Sequence, residues 1–128
     1  MRVLLDTHAL LWWLFDDPKL PDRARRAIGD PANTVLVSSA SAWEIATKHR
    51  LGRLPEAGDV AHRLPEYVRR GRLVEAPITT DDALEAGSLP GPHRDPFDRM
   101  LIAQARNGSV PVVTNDQTFR DYGVAVVW

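Results

Sequence analysis

The chain has 128 residues, the length of one ordinary domain with room for a genuine core. Hydrophobic residues make up 44% and charged residues 26%, as in an average soluble domain, and the lack of cysteine excludes disulfides, zinc–thiolate sites and thiol catalysis. A net charge of −1 excludes a basic nucleic-acid coat, although Lys48, Arg50, Arg53, Arg63, Arg69, Arg70 and Arg72 make the middle third basic.

Arg2 to Leu5 reads as a short strand. Thr7 to Phe15 follows as a helix, with Asp6 or Thr7 as its cap and Leu10, Leu11 and Leu14 on one face. The near-apolar stretch Ala9 to Phe15 is too short to span a bilayer, and the N-terminus lacks the pattern of a signal peptide. A cytoplasmic protein with no membrane contact is expected. Asp16-Asp17-Pro18 breaks the first helix, and Pro21 fits the first turn of a second, which runs to Ile28. Thr34 to Val37 is the second strand. Ser38 to Ser41 leads into a third helix, Ala42 to Leu51, closed by Gly52. A fourth helix covers Asp59 to Arg70 with Pro65 inside it, and Gly71 precedes a strand from Arg72 to Ala76. Thr79 or Thr80 caps a fifth helix ending at Gly87, and Leu89-Pro90-Gly91-Pro92 is loop. Asp95-Pro96 opens a sixth helix through Asn107, with Gly108 behind it. Val110 to Thr114 and Val124 to Val127 are the last strands. Strands alternating with helices predict βαβ units, hence an α/β fold whose five-stranded, mainly parallel sheet is covered on both faces. No repeat or long linker divides the chain, so residues 1–128 are expected to form a single domain.

Four acids stand out against this frame. Asp6 ends the apolar run Val3-Leu4-Leu5, and Asp116 follows the run Val110 to Val113 after Thr114-Asn115. Both positions read as carboxyl ends of buried parallel strands, where open α/β sheets build their sites. Asp98 shares a helix face with Leu101, Ile102 and Ala105, so it tops a face that packs inward. Glu44 falls in the first helical turn after the second strand, on the same sheet edge. Each has an ordinary reading too. Asp6 and Asp116 suit caps, Asp98 suits the helix dipole, and Glu44 pairs with Lys48 at i, i+4. Convergence of all four on one edge favours a shared site.

Carboxylates in one cleft repel one another unless a cation sits between them, and hard divalent cations choose oxygen ligands. The expectation is a Mg²⁺-dependent phosphoester hydrolase, with Asp6, Glu44, Asp98 and Asp116 as catalytic and metal-ligating residues and Mn²⁺ able to substitute. Thr7, Thr114 and Asn115 adjoin the acids and are expected to orient them, and Asp95 caps the helix that carries Asp98. His93, Arg94 and Lys48 are candidate contacts for a substrate phosphate. His8, His49 and His62 are dispersed and form no ligand pair. Trp12, Trp13, Trp43 and Trp128 are capable of stacking bases but read first as core or interface residues.

Four segments, in order, resemble the PIN domain and, more narrowly, the VapC toxins of bacterial type II toxin–antitoxin pairs. They are Leu4-Leu5-Asp6-Thr7-His8-Ala9-Leu10-Leu11-Trp12, Ser41-Ala42-Trp43-Glu44-Ile45-Ala46, His93-Arg94-Asp95-Pro96-Phe97-Asp98-Arg99-Met100-Leu101-Ile102-Ala103-Gln104-Ala105 and Val113-Thr114-Asn115-Asp116. The resemblance implies a three-layer α/β/α domain on a five-stranded parallel sheet. It implies Mg²⁺-dependent endonucleolytic cleavage of RNA, with Asp6, Glu44, Asp98 and Asp116 as the family's acidic quartet. Thr7 and Thr114 match its hydroxyl neighbours. It further implies a cognate VapB-like antitoxin laid across the cleft, operator DNA bound through the toxin–antitoxin complex, and a homodimer. One departure is Thr114-Asn115-Asp116 where Thr-Arg-Asp is frequent, which removes a basic contact beside Asp116.

Rival readings fit less well. A response-regulator receiver needs an acidic pair after strand one, and a haloacid-type phosphatase needs Asp-x-Asp there, whereas Asp6 is followed by Thr7-His8. A flap-type DNA nuclease shares the core but needs extra acids and helices, for which 128 residues leave little room. A PIN-fold enzyme of RNA processing and a non-catalytic module of the same fold remain as alternatives; the intact quartet argues against the latter.

Overall fold

Val3, Leu4 and Leu5 lack the polar alternation of a half-wet strand, and all three are buried. In the computed structural model, which describes residues 1–128, they belong to β1 (Arg2–Leu5). The other strands are β2 (Thr34–Ser38), β3 (Val74–Ala76), β4 (Val112–Val113) and β5 (Val126–Val127). Every pairing is parallel, in the order β3-β2-β1-β4-β5. The helices are α1 (Thr7–Leu14), α2 (Asp22–Gly29), α3 (Ser39–Arg50), α4 (Gly58–Arg70), α5 (Thr80–Ser88), α6 (Pro96–Gly108) and α7 (Thr118–Asp121).

Alternate strand residues serve two cores. Val3, Leu5, Val35, Val37 and Val113 pack with Leu10 of α1, Ile28 of α2, Ile45 of α3 and Leu64 of α4. Leu4, Leu36 and Val112 pack on the opposite side with Leu101, Ile102 and Ala105 of α6 and Phe119 of α7. The layers are therefore α/β/α, as expected, and the inward face inferred for α6 is the buried one. β1 lies between β2 and β4, the point from which the chain departs to opposite halves of the sheet, and such a point opens a crevice beyond the carboxyl ends of the strands. Gln104 braces that end. It accepts from the Ser38 hydroxyl after β2 and donates to Ala76 O at 3.1 Å and Pro77 O at 3.3 Å after β3.

Several boundaries move for local reasons. α3 begins at Ser39, three residues earlier than expected, because the Ser38 hydroxyl caps it by accepting from Ala40 N at 3.0 Å. Pro65 lacks the N–H of a helix interior, and α4 bends just before it at Arg63 (φ −132, ψ 24). A 3-10 turn, Pro55–Ala57, and the short helix α7 occupy stretches for which no element is expected from the sequence. Gly52 takes the left-handed conformation expected of it (φ 76). At the end of α6 the left-handed residue is Ser109 (φ 52) and not Gly108; after α4 it is Arg72 (φ 56) and not Gly71. An L side chain there crowds its own backbone. Ser109→Gly is therefore expected to raise the free energy of unfolding by about 0.5 kcal/mol in urea melts, the Cβ strain relieved outweighing the added freedom of the unfolded chain. A lower midpoint in the variant would contradict that account.

Candidate active site

Asp6 leaves β1 with its N–H still bonded to Val113 O at 3.1 Å, and its Oδ1 accepts from Ala9 N at 2.6 Å to cap α1. Helix caps are ordinarily wet, yet Asp6 is 7% exposed. Burial pushes its carboxyl pKa up, and the charge of Glu44 pushes the same way. The Thr114 hydroxyl, the Ala9 N–H and His8 oppose the rise.

Glu44 sits on the second turn of α3, not the first, because the helix starts at Ser39. It is 3% exposed, so the pair it makes with Lys48 is no surface pair. Thr7 donates its hydroxyl to Glu44 Oε1 at 2.5 Å and is hydrogen-bonded to Ser41 Oγ at 3.0 Å. The Lys48 ammonium donates to Glu44 Oε2. A buried carboxylate needs such partners, since desolvating its charge alone costs several kcal/mol. Thr7 thus orients Glu44 and not its chain neighbour Asp6, and Lys48, expected to meet a phosphate, is committed to the site's own acid.

Asp98 is the third residue of α6. Asp95 caps the helix, its Oδ1 accepting from Phe97 N at 2.9 Å and Asp98 N at 3.2 Å, and Pro96 takes the first position, where a missing N–H costs nothing. Burial, the Asp95 charge and the Glu44 charge raise the Asp98 carboxyl to about 6, against the pull of His93. His93 Nε2 lies 3.3 Å from Asp98 Oδ2, so this histidine does reach the site. α3 packs against both α1 and α6, which is how Glu44 comes to influence Asp6 and Asp98 together.

Asp116 follows β4 by three residues, and its N–H and carboxylate bond to Thr114 and Thr118 and not to the other acids. The buried Thr114 hydroxyl, which steadies Asp6, also accepts from Asp116 N at 3.0 Å. Asp116 Oδ1 accepts from Thr118 N at 2.9 Å and caps α7. Asn115 is exposed and makes no side-chain hydrogen bond, so the orienting role expected of it is not seen. Arg94 is exposed and unpaired, open to a ligand. Two residues escaped the sequence reading. Ser41 precedes Glu44 by three positions on α3, a spacing that places both on one face. Arg99 donates to Ala86 O at 3.0 Å, His93 O at 2.9 Å and Leu89 O at 2.7 Å, and so ties the loop before α6 to the helix.

The oxygen donors of Asp6, Glu44 and Asp98 suit a hard cation, and their mutual repulsion is what a divalent ion would relieve. As placed, no three acidic or histidine side chains come close enough together to hold an ion.

A sequence profile of the PIN domain matches residues 3–125. The chain is 32% identical over 123 residues to ribonuclease VapC22 of Mycobacterium tuberculosis, across 94% of this chain and 91% of that protein. With ribonuclease VapC16 of the same organism the identity is 39% over 62 residues, and this match spans 48% of the chain and 43% of the relative, less than half of each. In fold, the protein resembles a chain in the crystal structure of VapBC2 from Rickettsia felis bound to a DNA fragment from their promoter. The TM-score is 0.72 at 18% identity, over 98% of this chain and 97% of that one. With the profile running from Val3 to Ala125 and the relative VapC22 aligned almost end to end, the chain belongs to the PIN-domain family.

Proposed function

We propose that the protein is a metal-dependent endoribonuclease of the VapC type, the toxin of a toxin–antitoxin pair, with Mg²⁺ as its natural ion and Mn²⁺ able to replace it. The observation that carries this reading is the position of Glu44, a buried acid on α3 whose charge acts on both Asp6 at the end of β1 and Asp98 at the start of α6. Burial and mutual repulsion perturb Asp6 and Asp98 together, and such perturbed groups cluster at functional sites. The ribonuclease names of VapC22 and VapC16 support RNA as the substrate. The Rickettsia felis neighbour, a VapBC2 complex on promoter DNA, supports a VapB-like antitoxin as partner and operator DNA as a ligand of the complex. A homodimer and a cytoplasmic setting complete the proposal; no helix is long and apolar enough to cross a membrane.

Asp6, Glu44 and Asp98 would hold the ion, with Asp116 as the fourth acid beside Thr114. When bound, Mg²⁺ supplies a water of lowered pKa and positive charge facing the phosphate oxygens. The protein's own groups then have separable tasks. Thr7 and Ser41 fix Glu44, and Lys48 offsets its charge. Thr114 steadies Asp6 and holds the backbone of Asp116. Asp95 fixes the first turn of α6, and Arg99 holds the backbone of His93. His93 is placed to hold or release a proton at Asp98 Oδ2.

Asp98→Asn keeps the side chain's size and removes its charge. It is expected to lower metal-dependent cleavage of a fluorogenic RNA by about a hundredfold or more, beyond the loss typical of a residue that only orients a metal ligand, with no loss of melting temperature. Wild-type turnover in the variant would remove Asp98 from the site. The metal-free protein should also show an unusual pH dependence. The folded pKa of Asp98, about 6, lies above its ordinary value of 3.8, so the folded state holds the proton more tightly than the unfolded state. The resulting penalty is complete above the folded pKa and is relieved as pH falls through it towards the unfolded one. Asp6 shifts in the same direction. In EDTA the melting temperature is expected to rise as pH falls from 7 to about 5, and Asp98→Asn should flatten that rise by lifting the neutral-pH value. Identical pH profiles for the two proteins would contradict the assignment of the strained charge to Asp98.

A further inference from the structure

Trp43 is the one tryptophan that the cores do not absorb. Trp12, Trp13 and Trp128 pack on the first core, and Trp12 meets Trp128 at 5.8 Å between ring centroids. Trp43 is 58% exposed, although leaving so much aromatic surface in water is unfavourable. It is not loose. The half-buried Phe97 ring stands against it edge to face, at 4.7 Å between centroids and 74° between planes. The two rings come from the two helices that carry the acids: Trp43 directly precedes Glu44 on α3, and Phe97 directly precedes Asp98 on α6. Consecutive helical residues point about 100° apart, so the rings stand beside the carboxylates and not over them. A base lies one sugar away from its own phosphate, a reach comparable to that between neighbouring side chains on a helix. Arg94, exposed three residues before Phe97, adds a cation for the backbone of the same strand.

We infer that Trp43, braced by Phe97, is a stacking platform for an unpaired base of a single-stranded RNA whose backbone adjoins Glu44 and Asp98. The inference rests on the nuclease reading and adds to it a residue that holds a base beside the acids. A paired base in a duplex shows no face to such a ring, whereas a splayed base of any identity does.

The test uses full-length protein carrying Asp98→Asn, so that the strand survives, and a fluorescein-labelled twelve-nucleotide adenosine RNA as probe. Binding is expected to quench tryptophan emission. Adding Trp43→Ala should weaken binding about tenfold and abolish the quench, the size of effect that one stacked base gives. Trp43→Phe should stay within about threefold, and a blunt RNA duplex should bind all three proteins alike. Equal affinity of the Trp43→Ala protein for the single strand, or a quench that persists without Trp43, would overturn the platform. So would a loss confined to self-association in sedimentation, which would assign the ring to a protein interface. Cleavage by the unsubstituted protein in Mg²⁺ is scored separately. Cleavage with no effect of Trp43 on binding would sink the platform and leave the nuclease standing. Quenched, Trp43-dependent binding without cleavage would do the reverse.

Discussion

Negative charge held against its own repulsion at the carboxyl edge of the sheet is the constraint on which the site depends. Three carboxylates reach that edge from three elements: Asp6 from the end of β1, Glu44 from α3 and Asp98 from α6. Burial raises the cost of charging Asp6 and Asp98, and Glu44 raises it further for both. Glu44 itself is kept by a hydroxyl from Thr7 and an ammonium from Lys48. The arrangement is internally balanced at one acid and unbalanced at the other two. In the proposed reading, a divalent cation held by Asp6, Glu44 and Asp98 would supply the missing positive charge.

The fold makes this concentration of charge possible. Parallel strands all end at one edge, so residues distant in sequence arrive together there. The apolar layers above and below the sheet hold α1 and α6 against α3, with Asp6 capping α1, Asp98 in the first turn of α6 and Glu44 in the second turn of α3. Buried polar links then lock the edge. Gln104 joins the ends of β2 and β3 to α6, the Thr114 hydroxyl just past β4 holds the backbone of Asp116, and Arg99 joins the loop before α6 to the helix that follows it. No buried side-chain polar atom is left without a partner.

Much of this was legible in the amino-acid order. Continuous apolar runs announced strands buried on both faces, and the spacing of Asp98, Leu101, Ile102 and Ala105 announced the buried face of α6. Asp95-Pro96 marked its start, and Gly52 marked the end of α3. What the order did not disclose depends on contacts between distant residues. Thr7 follows Asp6 in the chain but spends its hydroxyl on Glu44, 37 residues away. Lys48 looked like half of a surface pair because i, i+4 spacing says nothing about depth; the 3% exposure of Glu44 comes from the packing of α1 and α6 around it. Arg99 bonds to three backbone carbonyls, which carry no side-chain signature for a reader to follow. The left-handed Ser109 and Arg72 replaced the glycines beside them, since the register of the helix end, and not the nearest glycine, decides which residue turns back.

The most direct measurement is the anomalous scattering of crystals of the protein soaked in Mn²⁺. A single site is predicted, with carboxylate oxygens of both Asp6 and Asp98 within about 2.0–2.6 Å of the ion, the range of hard-cation coordination. A manganese peak remote from these two residues, or ligation by one of them without the other, would contradict the account.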